Sequence, residues 1–254
     1  MSYLHALILG IVEGVTEFLP ISSTAHMILA QNLLGIADTE FVKSFEIIIQ
    51  LGAILSVVVL FWRKLLDRDV LAKALVAFVP TGIVGLTVYR AVKGYLLGNV
   101  PVVLAALLLG GVVLILFDRG RHDEAEPIDF GAITYGKAVG VGLCQCLAMV
   151  PGVSRSAATI VGGSMLGIPR RTIIEFSFLL AIPTMAAATG YDLLKNYESL
   201  GGHYDALAIG FVVSFVTALV AIRSFLGFVK RRSFAAFGVY RIVLAVAYVL
   251  VFLR

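Results

Sequence analysis

Two carboxylates, Glu13 and Glu17, stand four residues apart in an apolar N-terminal stretch. That spacing puts both on one face of a helix. Neighbouring carboxylates repel unless one holds a proton or a cation sits between them. A divalent ion such as Mg2+ or Ca2+ prefers oxygen ligands of this kind and often shares them with substrate phosphates. Just downstream, Pro20-Ile21-Ser22-Ser23-Thr24 reads as a helix stop followed by a fresh start, with Ser22 or Ser23 as the N-cap. The free amides and positive dipole end of such a start make an anion site. His26 follows Ser23 by three residues, which brings imidazole and hydroxyl together on a helix, the constellation of an activated nucleophile. Pro151-Gly152-Val153-Ser154-Arg155-Ser156 repeats the stop and start and adds Arg155, whose planar fork suits phosphate oxygens. Plainer readings exist for each: Glu13 snorkelling at a helix end, serines that only cap, a structural His26, an Arg155 that only pairs with Glu13 or Glu17. Intramembrane ionisable groups mark function by default, and the company these residues keep favours chemistry.

The elements that must position them are set by composition. Of 254 residues, 60% are hydrophobic and only 14% charged, with a mean hydropathy of +1.00. Soluble domains carry about 25% charged residues, so the chain is expected to be an all-α integral membrane protein forming a single membrane domain over 1–254. A net charge of +4 spread over loops gives no reason to expect nucleic acid. Cys144 and Cys146, the only cysteines, form a C-x-C pair unsuited to a disulfide or a zinc site and are expected to be small buried hydrophobes. No cleavable leader is expected, because no basic region precedes the first apolar stretch and that stretch holds two glutamates.

The segment Gly10–Ile36 superposes on Gly142–Ile168 at one constant offset without a gap, carrying Glu13 onto Gln145 and Ser22 onto Ser154. A paired, proline-interrupted apolar segment in each half points to a midplane site in an inverted repeat. Each segment is expected to be a re-entrant helical hairpin, since broken backbone at membrane depth survives only where protein or a water-filled cavity covers it. Six longer apolar runs read as spans: Ile47–Trp62, Ala74–Tyr89, Val100–Phe117, Phe176–Tyr191, Leu207–Ile222 and Phe234–Leu253. Several fall short of the ~20 residues a bilayer needs. The first repeat is 1–117, the second 138–254, each one hairpin plus three transmembrane helices. Residues 118–137 form a charged linker, with Asp118–Asp129 read as a solvated loop.

Three spans between the hairpins make the second enter from the opposite face, so that the turns at Pro20 and Pro151 converge. The face of the second hairpin carries Arg63, Lys64, Arg68, Lys73, Arg119, Arg121, Lys137, Arg170, Arg171, Arg223, Lys230, Arg231 and Arg232. The other face carries only Lys43, Arg90, Lys93, Lys195 and Arg254. The basic face is cytoplasmic by the positive-inside rule; both termini and the first hairpin's entrance then lie outside. Glu46 and Gln50 share a helical face and are placed to line the pocket. Arg241, in the last span, pairs with a carboxylate or reaches headgroups.

At these residues the chain resembles the undecaprenyl-pyrophosphate phosphatase family, also called the bacitracin-resistance or BacA/UppP family. The resemblance rests on Glu13-Gly-Val-Thr-Glu17-Phe-Leu-Pro-Ile-Ser-Ser-Thr-Ala-His26 and Pro151-Gly-Val-Ser-Arg155-Ser-Ala-Ala-Thr159. It also includes Phe45-Glu-Ile-Ile-Ile-Gln-Leu-Gly52 and Glu175-Phe-Ser-Phe-Leu-Leu-Ala-Ile-Pro183. It implies removal of the terminal phosphate of undecaprenyl diphosphate in the bacterial inner membrane, dependence on a divalent cation, and a site open to the outer face. By motif position, Ser23 is the candidate nucleophile, Glu17 is essential, Arg155 holds phosphate and His26 is the base or acid. Ser22, Thr24, Gln50, Ser154, Ser156 and Thr159 are expected to bind substrate, and Glu13 with Glu17 the cation. Phosphoserine and direct water attack use the same residues. A lipid-phosphate transporter or flippase would use the same repeat, but has no need of a nucleophile beside a base. A passive lipid-binding scaffold has no use for paired glutamates near an arginine at depth. Bilayer lipid is an expected partner, and a homodimer is left open.

Overall fold

The computed structural model describes residues 1–91, 95–96, 99–119, 126–196, 202–229 and 233–252. Among them are ten α-helices and no strand: α1 (Tyr3–Thr16), α2 (Ser23–Leu34), α3 (Glu40–Leu65), α4 (Arg68–Ala91), α5 (Val100–Arg119), α6 (Tyr135–Gln145), α7 (Arg155–Met165), α8 (Arg170–Asn196), α9 (Tyr204–Val229) and α10 (Ala235–Phe252). The bilayer-length helices are α3, α4, α5, α8, α9 and α10, long and apolar enough to cross a membrane. Most extend beyond the apolar runs that announce them, which removes the apparent shortfall in length. The reason is local: polar residues at the ends stay helical and find partners. Lys64 at the end of α3 pairs with Glu175 of α8. Lys43 near the start of α3 pairs with Glu40 at 3.0 Å.

The other four helices are short, with 14, 12, 11 and 11 residues in α1, α2, α6 and α7. At 1.5 Å per residue they reach about 16–21 Å, well under the ~30 Å of a hydrocarbon core. Each pair is joined by a turn that ends on a serine with positive φ: Ser22 at 71° and Ser154 at 77°, the only non-glycine residues of that kind among the described residues.

The long helices pack in matched pairs. α1 lies on α9 as α6 lies on α4; α3 contacts α9 as α8 contacts α4; α3 meets α8 and α5 meets α10. Gly10 and Gly142, which the sequence offset superposes, serve the same purpose in α1 and α6. A Cβ on Gly10 would lie 2.8 Å from the Gly210 carbonyl oxygen, and one on Gly142 1.9 Å from that of Ala77. Both helices thus approach a neighbour backbone to backbone. Below the turns the interior is aromatic: Phe18 is fully buried and meets Phe178 edge-on at 5.3 Å.

Cys144 and Cys146 are free thiols but only half-buried, Cys144 in the last turn of α6 and Cys146 in the 3-10 turn that follows it. Asp118, expected in the charged linker, lies in the last turn of α5, where it accepts from the Phe234 amide at 3.0 Å and from Ser233, fastening the start of α10. Lys93, Arg121, Asp123, Glu124, Lys230, Arg231, Arg232 and Arg254 lie outside the described residues, as does the side chain of Arg90.

Candidate active site

The serine turns build the site. Ser22 is the N-cap of α2, its Oγ accepting from the Ala25 amide at 3.3 Å. Ser154 does the same for α7 with the Ala157 amide, also at 3.3 Å. Positive φ costs a serine about 1–3 kcal/mol, strain of the sort that collects at functional sites. Capping of this kind returns about 1 kcal/mol. What the turns achieve is to aim two helix starts, with amides that have no i−4 carbonyl to bind, at one place. Ser156 Oγ donates to the Leu19 carbonyl at 2.8 Å, tying the second turn to the first.

Between them lies a cavity of about 200 Å3 lined by Glu17, Ser22, Ser23, Thr24, Gln50, Thr81, Gln145, Ser154, Arg155 and Thr184, with Ala148, Met149, Gly152, Met185 and Ala188 completing it. That volume suits a headgroup rather than a whole lipid; pockets for drug-sized ligands run from about 300 Å3 upward. At its centre Ser23 Oγ donates to Glu17 Oε2 at 2.5 Å. The other oxygen of that carboxylate accepts from Arg155 Nη2 at 2.9 Å. Arg155 is steadied by Nη1 bonds to Ser177 O at 2.9 Å and Ser177 Oγ at 3.3 Å, and it lies 5.6 Å over the Phe18 ring. Its Nε is buried with no partner.

The expected pairing of Ser23 with His26 is not what the geometry delivers. His26 turns away from the cavity: Nδ1 is 2.7 Å from Ser22 O and Nε2 is 2.8 Å from the Tyr240 hydroxyl. A carbonyl can only accept, so Nδ1 carries the hydrogen, and a neutral ring then accepts the tyrosine proton at Nε2. The ring stacks on Tyr240 at 5.6 Å. Residues i and i+3 share a helical face, but Ser23 is the first residue of α2 and its side chain reaches back to α1 instead.

Of the remaining expected substrate contacts, Ser22, Thr24, Gln50 and Ser154 line the cavity, whereas Ser156 and Thr159 do not. Ser156 is spent on Leu19, and Thr159 on Arg155 O, Ser156 O and Ser177 Oγ. Glu46 is also off the lining and accepts from Gln31. Glu13 is 1% exposed and outside the lining, with Oε1 buried and unpartnered; its charged neighbours are Glu17, Glu46 and Arg155. An orphaned carboxylate oxygen beside Glu17 fits an oxygen-preferring divalent ion, although no cluster of three acidic, histidine or cysteine side chains forms among the described residues.

Three participants escaped the sequence. Ser177 anchors Arg155. Thr81 and Thr184 receive the Gln145 amide at 2.9 and 3.1 Å on the far wall. The offset that carries Glu13 onto Gln145 was the one available signal for that wall; a lone threonine in a span gives none.

A family model described as Bacitracin resistance protein BacA matches residues 6–247. The chain belongs to the BacA family. Its relatives include the undecaprenyl-diphosphatase of Aquifex aeolicus, 48% identical over 255 residues, which cover all of both chains. That of Sulfurihydrogenibium sp. is 50% identical over 98% of this chain and 99% of the relative. That of Bdellovibrio bacteriovorus is 51% identical over 96% and 94% respectively. The BacA match takes in both turns, α3, α4, α5, α8 and α9 whole, α10 as far as Ala247, and every cavity-lining residue.

Proposed function

We propose that this chain is an undecaprenyl-diphosphate phosphatase, cleaving the terminal phosphate from a long-chain prenyl diphosphate to regenerate undecaprenyl phosphate for cell-wall synthesis. One observation carries this: Ser23 Oγ at 2.5 Å from a carboxylate that is itself held by Arg155, on a headgroup-sized cavity. The names of close relatives agree with it. The prenyl tail leaves through the apolar side of the cavity at Ala148, Met149, Met185 and Ala188 into the bilayer.

Ser23 Oγ attacks the terminal phosphorus while its proton passes to Glu17, the carboxylate in contact with it, rather than to His26. The anhydride P–O bond breaks, undecaprenyl phosphate departs, and water hydrolyses the phosphoserine. Arg155 and the first-turn amides of α2 and α7 stabilise charge on the equatorial oxygens, the main demand of phosphoryl transfer. Arg155 meets the phosphate by exchanging its bond to Glu17, which frees that carboxylate for the serine proton. His26 positions Ser22 and through it the turn. Glu13 and Glu17 would hold a divalent cation, which supplies neutralising charge to the phosphate oxygens when bound.

The architecture we infer is an inverted repeat, α1–α5 and α6–α10, each with one re-entrant hairpin. The matched helix packing and the twin positive-φ serines support it. The loop charges support a site open to the outer face, with both termini outside. Transport of a lipid phosphate would not need the Ser23–Glu17 contact. Phosphate release in detergent, where no two sides exist, tests the reading: purified protein should release phosphate from a long-chain prenyl diphosphate, and failure to do so with the folded chain would leave only transport.

A further inference from the structure

Arg241 of α10 is the largest fully buried side chain among the described residues, 0% exposed. It does neither of the things expected of it. No carboxylate among the described residues pairs with it, and its full burial keeps it from the surface. Instead all five of its N–H donors end on backbone carbonyls. Nε donates to Leu107 O at 3.3 Å and Nη2 to Ala106 O at 2.9 Å, both on α5. Nη1 donates to Pro20 O at 3.3 Å in the first turn. Nη1 and Nη2 donate to Val153 O at 3.0 Å and Gly152 O at 2.7 Å in the second. One planar guanidinium therefore holds both turns from behind, and Gly152 is also part of the cavity wall.

Room for it is made deliberately. A Cβ on Gly110 would fall 2.2 Å from Nη2 and 2.6 Å from Cζ. Gly111 and Gly238 let α5 and α10 touch, with Cβ positions 2.7 and 2.5 Å from each other's carbonyl oxygen. A cation in an apolar interior is costly without a partner, and five carbonyl dipoles compensate it only in part. An uncancelled positive charge thus sits directly behind the two turns whose front face forms the anion cavity.

We propose that Arg241 is a positioning residue: it locks the Pro20 and Gly152–Val153 turns in one register, so fixing Ser23 relative to Arg155, and its unneutralised charge is completed by the anionic headgroup. This rests on the phosphatase reading for its effect on turnover. The locking itself does not, so the test has two arms that fail separately.

The full chain is purified in detergent as wild type, Arg241→Lys, Arg241→Met and Gly110→Ala, each checked for thermal unfolding. Register is read by disulfide cross-linking of Leu19→Cys with Ser156→Cys in a chain whose Cys144 and Cys146 are alanine. Charge is read by the Kd for inorganic pyrophosphate. Lysine keeps the charge but has three donors for five carbonyls. It should lower cross-linking and cut kcat about a hundredfold, as small misplacements do, while pyrophosphate Kd stays within about threefold. Methionine should weaken pyrophosphate by about tenfold or more as well. Gly110→Ala, which displaces the guanidinium without removing it, should reproduce the lysine pattern and keeps the test alive if methionine does not fold. Wild-type cross-linking and kcat in folded Arg241→Lys or Gly110→Ala would overturn the locking role. Unchanged pyrophosphate Kd in folded Arg241→Met would overturn the charge role. Absent phosphate release by wild type, with normal cross-linking, would indict the phosphatase reading instead.

Discussion

Glu17→Gln removes a charge while keeping the shape, and its effects on stability and chemistry can be worked out separately. The carboxylate accepts from Ser23 at 2.5 Å and from Arg155 at 2.9 Å. A glutamine has one acceptor oxygen for those two donors and presents an NH2 group to the other. Arg155, with a side chain 10% exposed, loses its counter-ion; breaking a buried pair in this way costs about 3–5 kcal/mol of stability. Ser23 loses the group that takes its proton, worth about a hundredfold to ten-thousandfold in turnover, or about 3–5 kcal/mol of barrier. Binding should not fall in step, because Arg155 no longer divides itself between Glu17 and the phosphate. The assay is phosphate release from a long-chain prenyl diphosphate at saturating substrate and Mg2+, with thermal unfolding run alongside. The expected result is a folded, less stable protein with kcat down at least a hundredfold. A folded variant that keeps turnover within about tenfold of wild type would refute Glu17 as the base.

Ser23→Ala should lose turnover by a similar factor, about a thousandfold, and a 32P label from a terminally labelled diphosphate should be trapped on acid-quenched wild type but not on this variant; label-free wild type would remove the covalent step. Chelation should abolish phosphate release and added Mg2+ or Ca2+ restore it, measured on one sample through a cycle; full activity in chelator would exclude the cation at Glu13 and Glu17. Tyr240→Phe removes the donor to His26 Nε2 and should cost about 1 kcal/mol of stability, read in thermal unfolding, while activity drops only several-fold; a loss as deep as that of Glu17→Gln would mean the ring does more than hold Ser22. Gly142→Ala drives a Cβ to 1.9 Å from the Ala77 carbonyl oxygen and should destabilise by more than about 2 kcal/mol as overpacking does; an unchanged unfolding temperature would deny that backbone contact.

The helices were legible because lipid-facing spans read as long apolar runs, and the broken segments announced themselves by Pro20, Pro151 and the hydroxyls after them. Ser23, Glu17 and Arg155 could be named because each is a polar group where none should be. Their partners were harder. Helical spacing pairs His26 with Ser23, yet spacing along a helix says nothing about a side chain at the first residue, which is free to reach back to the previous helix. Arg241 looked like a cation in search of an anion, because backbone carbonyls contributed by three separate segments leave no trace in sequence. Ser156 and Thr159 belong to the same motif as Arg155, but their hydroxyls are spent on Leu19 O and on the Arg155 and Ser156 carbonyls and Ser177 Oγ, none of which the motif announces.

Arg155 is already in the grip of Glu17 before any ligand arrives. This protein works dissolved among phospholipids, each a phosphodiester with a single negative charge and present in vast excess. Such a decoy has too little charge to draw the guanidinium from a full carboxylate that sits beside it permanently. On the phosphatase reading, the terminal phosphate of a diphosphate, with more charge on more exposed oxygens, would win the exchange. The ion pair would then act as a threshold, keeping the bilayer's own headgroups from becoming competitive inhibitors.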